Sequence, residues 1–162
     1  MSLTRAYVGR LAGVDVFDPL GDKVGRVRDV VITFSIARRR PRVIGLVVEV
    51  PGRRRVFVPM TRVTSMDAGQ VITTGLVNMR RFEQRPNETL AVGELLDRRV
   101  RVPSPEGDVQ ATVEDVCIER ERTRDWSVVR LFVRKDVPGA AQGWGLGRLS
   151  RRRGETLLVD VE

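Results

Sequence analysis

The sequence of 162 residues contains no histidine, one cysteine (Cys117) and one tyrosine (Tyr7). Without histidine the chain has no imidazole for proton transfer or metal binding, and a single cysteine excludes an intramolecular disulfide and a cysteine-rich zinc site. No apolar run approaches the roughly 20 residues that a membrane-spanning helix needs, and the N-terminus lacks the apolar core of a signal peptide. These absences predict a cytoplasmic protein.

The residue combinations that enzymes use are also missing. The sequence shows no nucleophile–base pair, no glycine-rich loop of the P-loop or Rossmann form, and no metal-ligand spacing. We therefore expect a protein that is not an enzyme and uses no cofactor.

Arginine, by contrast, is abundant. The chain has 29 basic and 21 acidic residues, and every basic residue except Lys23 and Lys135 is arginine. The first half of the chain (residues 1–82) has 15 basic and 6 acidic residues, a net charge of +9, whereas the second half (residues 83–162) has 14 and 15, a net charge of −1. A GC-rich genome would also produce many solvated surface arginines. If the charge is functional, attraction to a polyanion or an anionic membrane is confined to the first half.

The sequence contains an internal duplication with an offset of 86 residues. Residues 14–32 align with residues 100–118 with nine identities in nineteen positions, among them Asp29 with Asp115. The spacing is too long for a solenoid repeat and suits a small domain. Cys117 aligns with Val31, which predicts a small buried apolar residue and not a nucleophile.

Each repeated unit has the pattern of β-structure. Valine is abundant, apolar residues alternate with polar ones, and proline and glycine mark turns at residues 18–22 and 103–108. The pattern predicts strands at residues 12–17, 24–34, 42–50, 54–59 and 70–74, and again at 98–103, 109–119, 127–135 and 156–161.

Short antiparallel strands of this kind avoid exposed edges by closing into a barrel. We therefore expect an all-β chain with two separate small antiparallel barrels, residues 1–75 and 96–162, packed against each other. The linker between them, residues 76–95, is predicted to contain a short helix over residues 78–84.

Four motifs of the first unit carry a family resemblance. They are Leu11-x-Gly13-x-x-Val16, Asp18-x-x-Gly21-x-x-Val24-Gly25-x-Val27-x-Asp29-Val30, Gly45-Leu46-Val47-Val48 and Val58-Pro59-x-x-x-Val63. Together they resemble the PRC-barrel domain, a family that includes the cytoplasmic domain of the photosynthetic reaction-centre H subunit and the C-terminal domain of the ribosome maturation factor RimM. The second unit has Ala111 at the position of Gly25 and lacks the Val-Pro motif, so the resemblance implies a tandem in which the second PRC barrel is divergent.

The tandem arrangement, with residues 45–63 and the linker residues 76–82, resembles the N-terminal region of actinobacterial MgtE-like proteins. In those proteins PRC barrels precede a magnesium-transporter N-domain and CBS domains. Met1 to Leu3 are typical of an expression leader, so we expect a fragment of a longer protein. The resemblance implies a non-catalytic docking or regulatory module whose partner is a downstream transporter-type or CBS domain or another protein. The alternative is an RNA- or ribosome-associated module of the RimM type, and a homodimer is a further expectation.

Two arginine clusters in the first half are the candidate binding residues. Basic loops that meet on one barrel would attract phosphate, RNA or anionic lipid headgroups, although binding of bases also needs exposed aromatic rings. Two aromatic residues are candidate partner contacts, one in the linker and one in a glycine-rich loop over residues 139–147, where burial against the barrel is the alternative. These candidates are Arg38, Arg39, Arg40 and Arg42, Arg53, Arg54 and Arg55, and the aromatic residues Phe82 and Trp144.

Aspartates crowd the first hairpin, at Asp15, Asp18, Asp22 and Asp29. Carboxylates are ligands for Mg²⁺ and Ca²⁺, but the spacing fits no EF-hand loop, and aspartates commonly cap turns. We therefore predict no metal site. Asp29 and Asp115 recur inside strands, where the sequence favours a salt bridge to Arg26 or Arg28 or a hydrogen bond to the backbone.

Overall fold

A computed structural model describes residues 4–35, 40–67, 69–75, 79–105, 107–136 and 156–161. The chain is mostly β, and its strands form a curled sheet resembling half of a barrel. None of the helices in these ranges is long and apolar enough to cross a membrane.

The first half of the chain contains seven of the strands. In order, its elements are β1 (Arg5–Tyr7), helix α1 (Val8–Leu11), β2 (Asp15–Phe17), β3 (Lys23–Thr33), β4 (Arg42–Val50), β5 (Arg54–Pro59), a 3₁₀ turn (Met60–Arg62), β6 (Val63–Met66) and β7 (Gln70–Thr73).

The second half repeats much of this order. Its elements are β8 (Glu88–Leu90), a π-helical turn (Ala91–Leu95), β9 (Arg99–Val102), β10 (Val109–Arg120), β11 (Trp126–Lys135) and β12 (Thr156–Asp160). The register repeats as well, because β3 pairs with β4 as β10 pairs with β11, each with a bulge beside the recurrent aspartate.

The first hairpin shows how the sequence sets these strands. The Asp18 Oδ1 atom accepts hydrogen bonds from the N–H groups of Leu20 and Asp22, at 3.0 and 2.9 Å. Gly21 occupies the turn with a φ of +89°, a conformation that residues with a Cβ atom rarely adopt. The turn leads into β3, which pairs with β2 and β4 and, near its end, with β8.

The long strands lie within three residues of their predicted bounds, but the predicted pair of separate barrels is wrong. One continuous sheet crosses between the halves, in the order β1-β10-β11-β4-β3-β2-β7-β6. Its junction is the pairing of Trp126 with Val43 and of Ser127 with Arg42. The ends of β4 and β11 can pair because β5 covers only residues 45–50 of β4, and β12 covers only residues 130–134 of β11.

The predicted helix over residues 78–84 is also absent from the part of this segment that the structure describes. Residues 79–84 run beside β5, where the Phe57 N–H donates to Arg80 O at 3.2 Å and the Phe82 N–H donates to Arg55 O at 2.8 Å. Hydrogen bonds to an otherwise unpaired strand edge replace those that a short helix would make within itself.

Two short segments pair with the opposite half of the chain. The first arm (residues 5–11, β1 and α1) pairs with β10, and the second arm (residues 88–95, β8 and the π-helical turn) pairs with β3. The arms take equivalent places before β2 and β9, so each half contributes its arm to the long strand of the other. Val8, Leu11 and Ala91 from the arms are buried in a core that spans both halves.

The recurrent aspartates hold these arms. Asp29, which is only 7% exposed, accepts hydrogen bonds from the N–H groups of Val92 and Gly93 in the second arm, at 2.7 and 2.9 Å. Asp115 accepts one from the N–H group of Gly9 in the first arm, at 2.8 Å. Of the two predicted roles for these aspartates, the structure thus shows the backbone hydrogen bond.

Candidate anion-binding cleft

A cleft opens where the start of β3, the end of β4, the start of β5 and the segment after residue 78 come together. It comprises two adjoining cavities of about 380 and 370 Å³ that share Val24 and Val50 in their walls. We call it the cationic cleft because seven of its lining side chains are basic: Lys23, Arg26, Arg28, Arg53, Arg54, Arg55 and Arg81.

Among the described lining residues, Glu49 is the only carboxylate facing these seven cations. The Arg28 Nη2 atom donates to Glu49 Oε2 at 2.9 Å. This hydrogen bond is the largest influence that lowers the pKa of Glu49, and the positive charges of Arg55 and Arg53 lower it further. Glu49 is therefore ionised at neutral pH, and it neutralises only a small part of the positive charge around it.

The other cations of the cleft differ in how far they are paired. Asp15 on β2 lies 3.1 Å from the Lys23 ammonium and 3.5 Å from Arg26 Nε. In the described parts of the chain, the guanidinium groups of Arg53, Arg54, Arg55 and Arg81 have no carboxylate within 4 Å. These four arginines, which stand around the turn after β4 and the segment beside β5, keep their donors for a ligand.

The floor of the cleft is aliphatic. It consists of Val24, Val50, Val56 and Met79, of which Val56 is buried and the others are half-buried. The arrangement thus combines charged donors at the rim with an apolar surface beneath them.

The turn that carries Arg53 has an unfavourable backbone. Arg53 has a φ of +60° after Gly52 at +89°, and a Cβ atom in this left-handed region costs roughly 1–2 kcal/mol. The sequence therefore has an arginine at a position whose backbone conformation favours glycine, and such strained residues are common at functional sites.

We expect Arg53→Gly to raise the free energy of unfolding by about 1 kcal/mol while it weakens anion binding. Urea unfolding measures the first effect and retention on heparin the second. Arg124→Gly is the matched control, since Arg124 also has a positive φ, of 71°, but lies in the β10–β11 turn near Arg42. The control should gain similar stability and keep its retention, whereas an equal loss in both variants would contradict a site at the cleft.

The two predicted arginine clusters do not form one patch. Arg42 begins β4, whereas Arg53 to Arg55 follow its end, and the eight steps of this nine-residue strand, at about 3.3 Å each, separate its ends by roughly 26 Å. Arg42 lies 3.2 Å from Asp125, and the Arg40 Nε atom donates to the backbone of Val161 at 3.3 Å. Arg38 and Arg39 lie outside the described residues.

Sequence reasoning missed the cations that β3 adds to the cleft. Arg26 and Arg28 are two positions apart, and alternate residues of a strand lie on the same face. Arg81, also missed, is brought to the cleft by its bridge to Val56. The alternation of basic residues along β3 is visible in the sequence, whereas the pairing of Arg81 with Val56 is not.

The equivalent surface of the second half has a different charge. Offset by 86 residues, Lys23, Arg26 and Arg28 correspond to Val109, Thr112 and Glu114. In the second half Arg134 Nε on β11 donates to Glu114 Oε1 on β10 at 2.7 Å. The strand equivalent to β3 therefore carries the acidic partner here, whereas in the Arg28–Glu49 pair β3 carries the basic one. The duplication therefore kept the strands and the ion pair but not the excess of positive charge.

The remaining candidates of the sequence analysis have other surroundings. Phe82 is half-buried and its ring stacks on Phe57 with 6.4 Å between centroids, while the Arg80 guanidinium lies 5.8 Å from the centre of the Phe57 ring. Trp144 and the loop 139–147 lie outside the described residues. No cluster of three or more potential metal ligands occurs in the described part of the chain.

Cys117 is fully buried in β10, opposite Tyr7 of the first arm. Burial raises the pKa of its thiol, which keeps the sulfur protonated and unreactive at neutral pH. This environment is that of the small buried residue predicted from its alignment with Val31.

Comparison with known families identifies two domains. A PRC-barrel domain is found at residues 4–76, and an Actinomycetes SH3 domain at residues 89–162. A PRC-barrel domain was predicted for the first unit, whereas the family found for the second is the SH3 domain and not a further PRC barrel. No curated protein matches the chain.

Proposed function

We propose that this chain is a non-catalytic, cytoplasmic docking module whose cationic cleft binds an anionic partner. The observation that carries the proposal is the convergence of seven basic side chains from β3, the β4–β5 turn, β5 and the segment beside β5 on a cleft lined by one carboxylate among its described residues. Four of these cations have no carboxylate partner within the described residues, so binding an anion there breaks no existing ion pair. Such a field accelerates and strengthens association with acidic partners.

The MgtE-like resemblance supports one setting for this module. There the anionic partner would be an intracellular transporter-type or CBS domain of a magnesium-transporter-related protein, and the module would regulate or position that domain. The complete reading frame tests this setting, because transporter or CBS domains after residue 162 are expected. A stop codon at that position would instead favour the free-standing, ribosome-associated alternative.

Retention on heparin at low salt tests the binding site. We expect replacement of Arg53, Arg54 and Arg55 by serine to remove most of the retention, because these residues are three of the four cleft cations that have no carboxylate partner within the described residues. The matched control replaces Arg120, Arg122 and Arg124 by serine, which removes the same charge from the exposed region around the β10–β11 turn. The control should elute close to the unmodified protein.

Equal shifts of both triple variants would show that heparin responds to net charge alone, and the proposal would then fail. A further variant with Arg40 and Arg42 replaced by serine tests the other predicted cluster separately. Because Arg42 is paired with Asp125 and lies at the far end of β4, we expect this variant to lose little retention.

A further inference from the structure

We infer that the cationic cleft binds an acidic peptide segment that also carries aliphatic side chains, presented by a partner protein. This inference rests on the proposed function and names the chemistry of the partner. The structural basis is the juxtaposition of three unpaired arginines, Arg54, Arg55 and Arg81, with the aliphatic floor in the larger of the two cavities.

The floor distinguishes such a peptide from a simple anion. Val24 and Val50 are shared by both cavities, and Met79 lines the same cavity as Arg81. The cavities fall in the range of roughly 300–1,000 Å³ that holds small ligands and side chains. A phosphate or a lone carboxylate would satisfy the rim but leave the floor in contact with water. Leucine or isoleucine side chains between acidic residues would cover it.

The absence of aromatic rings among the described lining residues of the cleft favours an acidic peptide over RNA, although both are anionic. Single-stranded RNA gains much of its affinity from stacking of bases on exposed aromatic rings. The two rings near the cleft, Phe57 and Phe82, stack on each other, and Arg80 lies against Phe57. In the described residues the cleft itself is lined by aliphatic and charged side chains and by no aromatic ring.

Fluorescence anisotropy with defined peptides tests the inference on the whole chain. The probe is a fluorescein-labelled peptide of glutamates interrupted by three leucines. Two comparison peptides replace the leucines by serine or the glutamates by glutamine, and labelled oligouridylate serves as the RNA probe. We expect the parent peptide to bind at least about 10-fold more tightly than each comparison peptide and than the RNA, because it alone satisfies both rim and floor.

Variants of the protein assign this preference to the cleft. The Arg53, Arg54 and Arg55 triple serine variant should lose binding of the parent peptide. Met79→Ser should reduce the preference for the leucine peptide over the serine peptide to less than about 3-fold, because it removes part of the aliphatic floor. Circular dichroism and urea unfolding control for folding of Met79→Ser.

The outcomes separate this inference from the proposed function. If the serine peptide binds as tightly as the leucine peptide, and the triple variant binds neither, the anionic site stands and the inference is wrong. Tighter binding of oligouridylate than of the parent peptide would overturn the inference in favour of RNA. An unaltered leucine preference in Met79→Ser would overturn it as well, because the leucine side chains would then bind elsewhere. Absence of binding to every acidic probe would overturn both proposals.

Discussion

Asp29→Ala is expected to lower the free energy of unfolding by about 3 kcal/mol. The buried carboxylate accepts hydrogen bonds from three backbone N–H groups, those of Val30, Val92 and Gly93, at 2.7 to 2.9 Å. A buried donor left without an acceptor costs about 1–3 kcal/mol, and alanine offers no acceptor to any of the three. Movement of the second arm lets water reach the freed N–H groups, which reduces the total cost to about 3 kcal/mol. Urea denaturation followed by circular dichroism measures the change.

Two further variants identify the origin of this loss. Asp29→Asn keeps one oxygen for Val30 and Val92 but presents an amide to the Gly93 N–H, so we expect an intermediate loss of about 1 kcal/mol. Asp18→Ala also removes an acceptor of two backbone hydrogen bonds, but at an exposed turn where water replaces it, and should cost less than about 1 kcal/mol. A loss below 1 kcal/mol for Asp29→Ala would contradict the role assigned to this carboxylate.

The long strands were predictable because their information is local. Alternation and valine content marked β3, β4, β10 and β11, and the turn residues between them fixed the hairpins. The repeat of Asp29 at Asp115 was visible as well. Its meaning was not, because the arm N–H groups that these aspartates bind lie 63 or more residues away in the sequence.

The arms explain why the architecture was not predictable in full. β1 and β8 have three residues each, too few to show a two-residue alternation, and no local signal indicates whether such a strand pairs within its own unit or with the other.

The same limit applies to the cleft. Arg53 to Arg55 were recognisable from the sequence, whereas their separation from Arg42 follows from the direction of β4, and the approach of Arg81 follows from a bridge formed far along the chain.

The exchange of arms makes the two domains interdependent, despite their different families. The first arm lies within the PRC-barrel match yet pairs with β10 of the SH3 match, and all but the first residue of the second arm lies within the SH3 match yet pairs with β3. Either domain alone would leave the edge of its long strand unpaired and its bulge aspartate without the arm. We therefore regard the pair as one folding unit, in which the cationic cleft of the first half is supported by the second.

Asp115→Ala is expected to accelerate alkylation of Cys117 by about 3- to 10-fold under native conditions. Cys117 is the only cysteine, it is fully buried, and its partner across the ladder is Tyr7 of the first arm. Alkylation therefore requires the first arm to leave β10 or the whole chain to unfold. Asp115 secures the arm through the Gly9 N–H, and loss of this solvent-accessible hydrogen bond lowers the cost of opening by roughly 0.7–1.4 kcal/mol, which corresponds to the stated range.

Alkylation by iodoacetamide, followed by mass spectrometry at several reagent concentrations, measures the opening equilibrium. Asp18→Ala controls for the loss of a carboxylate in a turn, and its rate should match that of the unmodified protein. Gly9→Ala gives an independent test, since its Cβ atom would lie 2.8 Å from Asp115 Oδ2, so that either the carboxylate or the arm must move and their hydrogen bond weakens. Gly93→Ala places its Cβ atom 3.4 Å from Asp29 and should leave the rate nearly unchanged. If Asp115→Ala and Gly9→Ala both label at the unmodified rate, the first arm is not what protects Cys117. Rates that rise only in proportion to the loss of global stability would mean that the arm does not open separately.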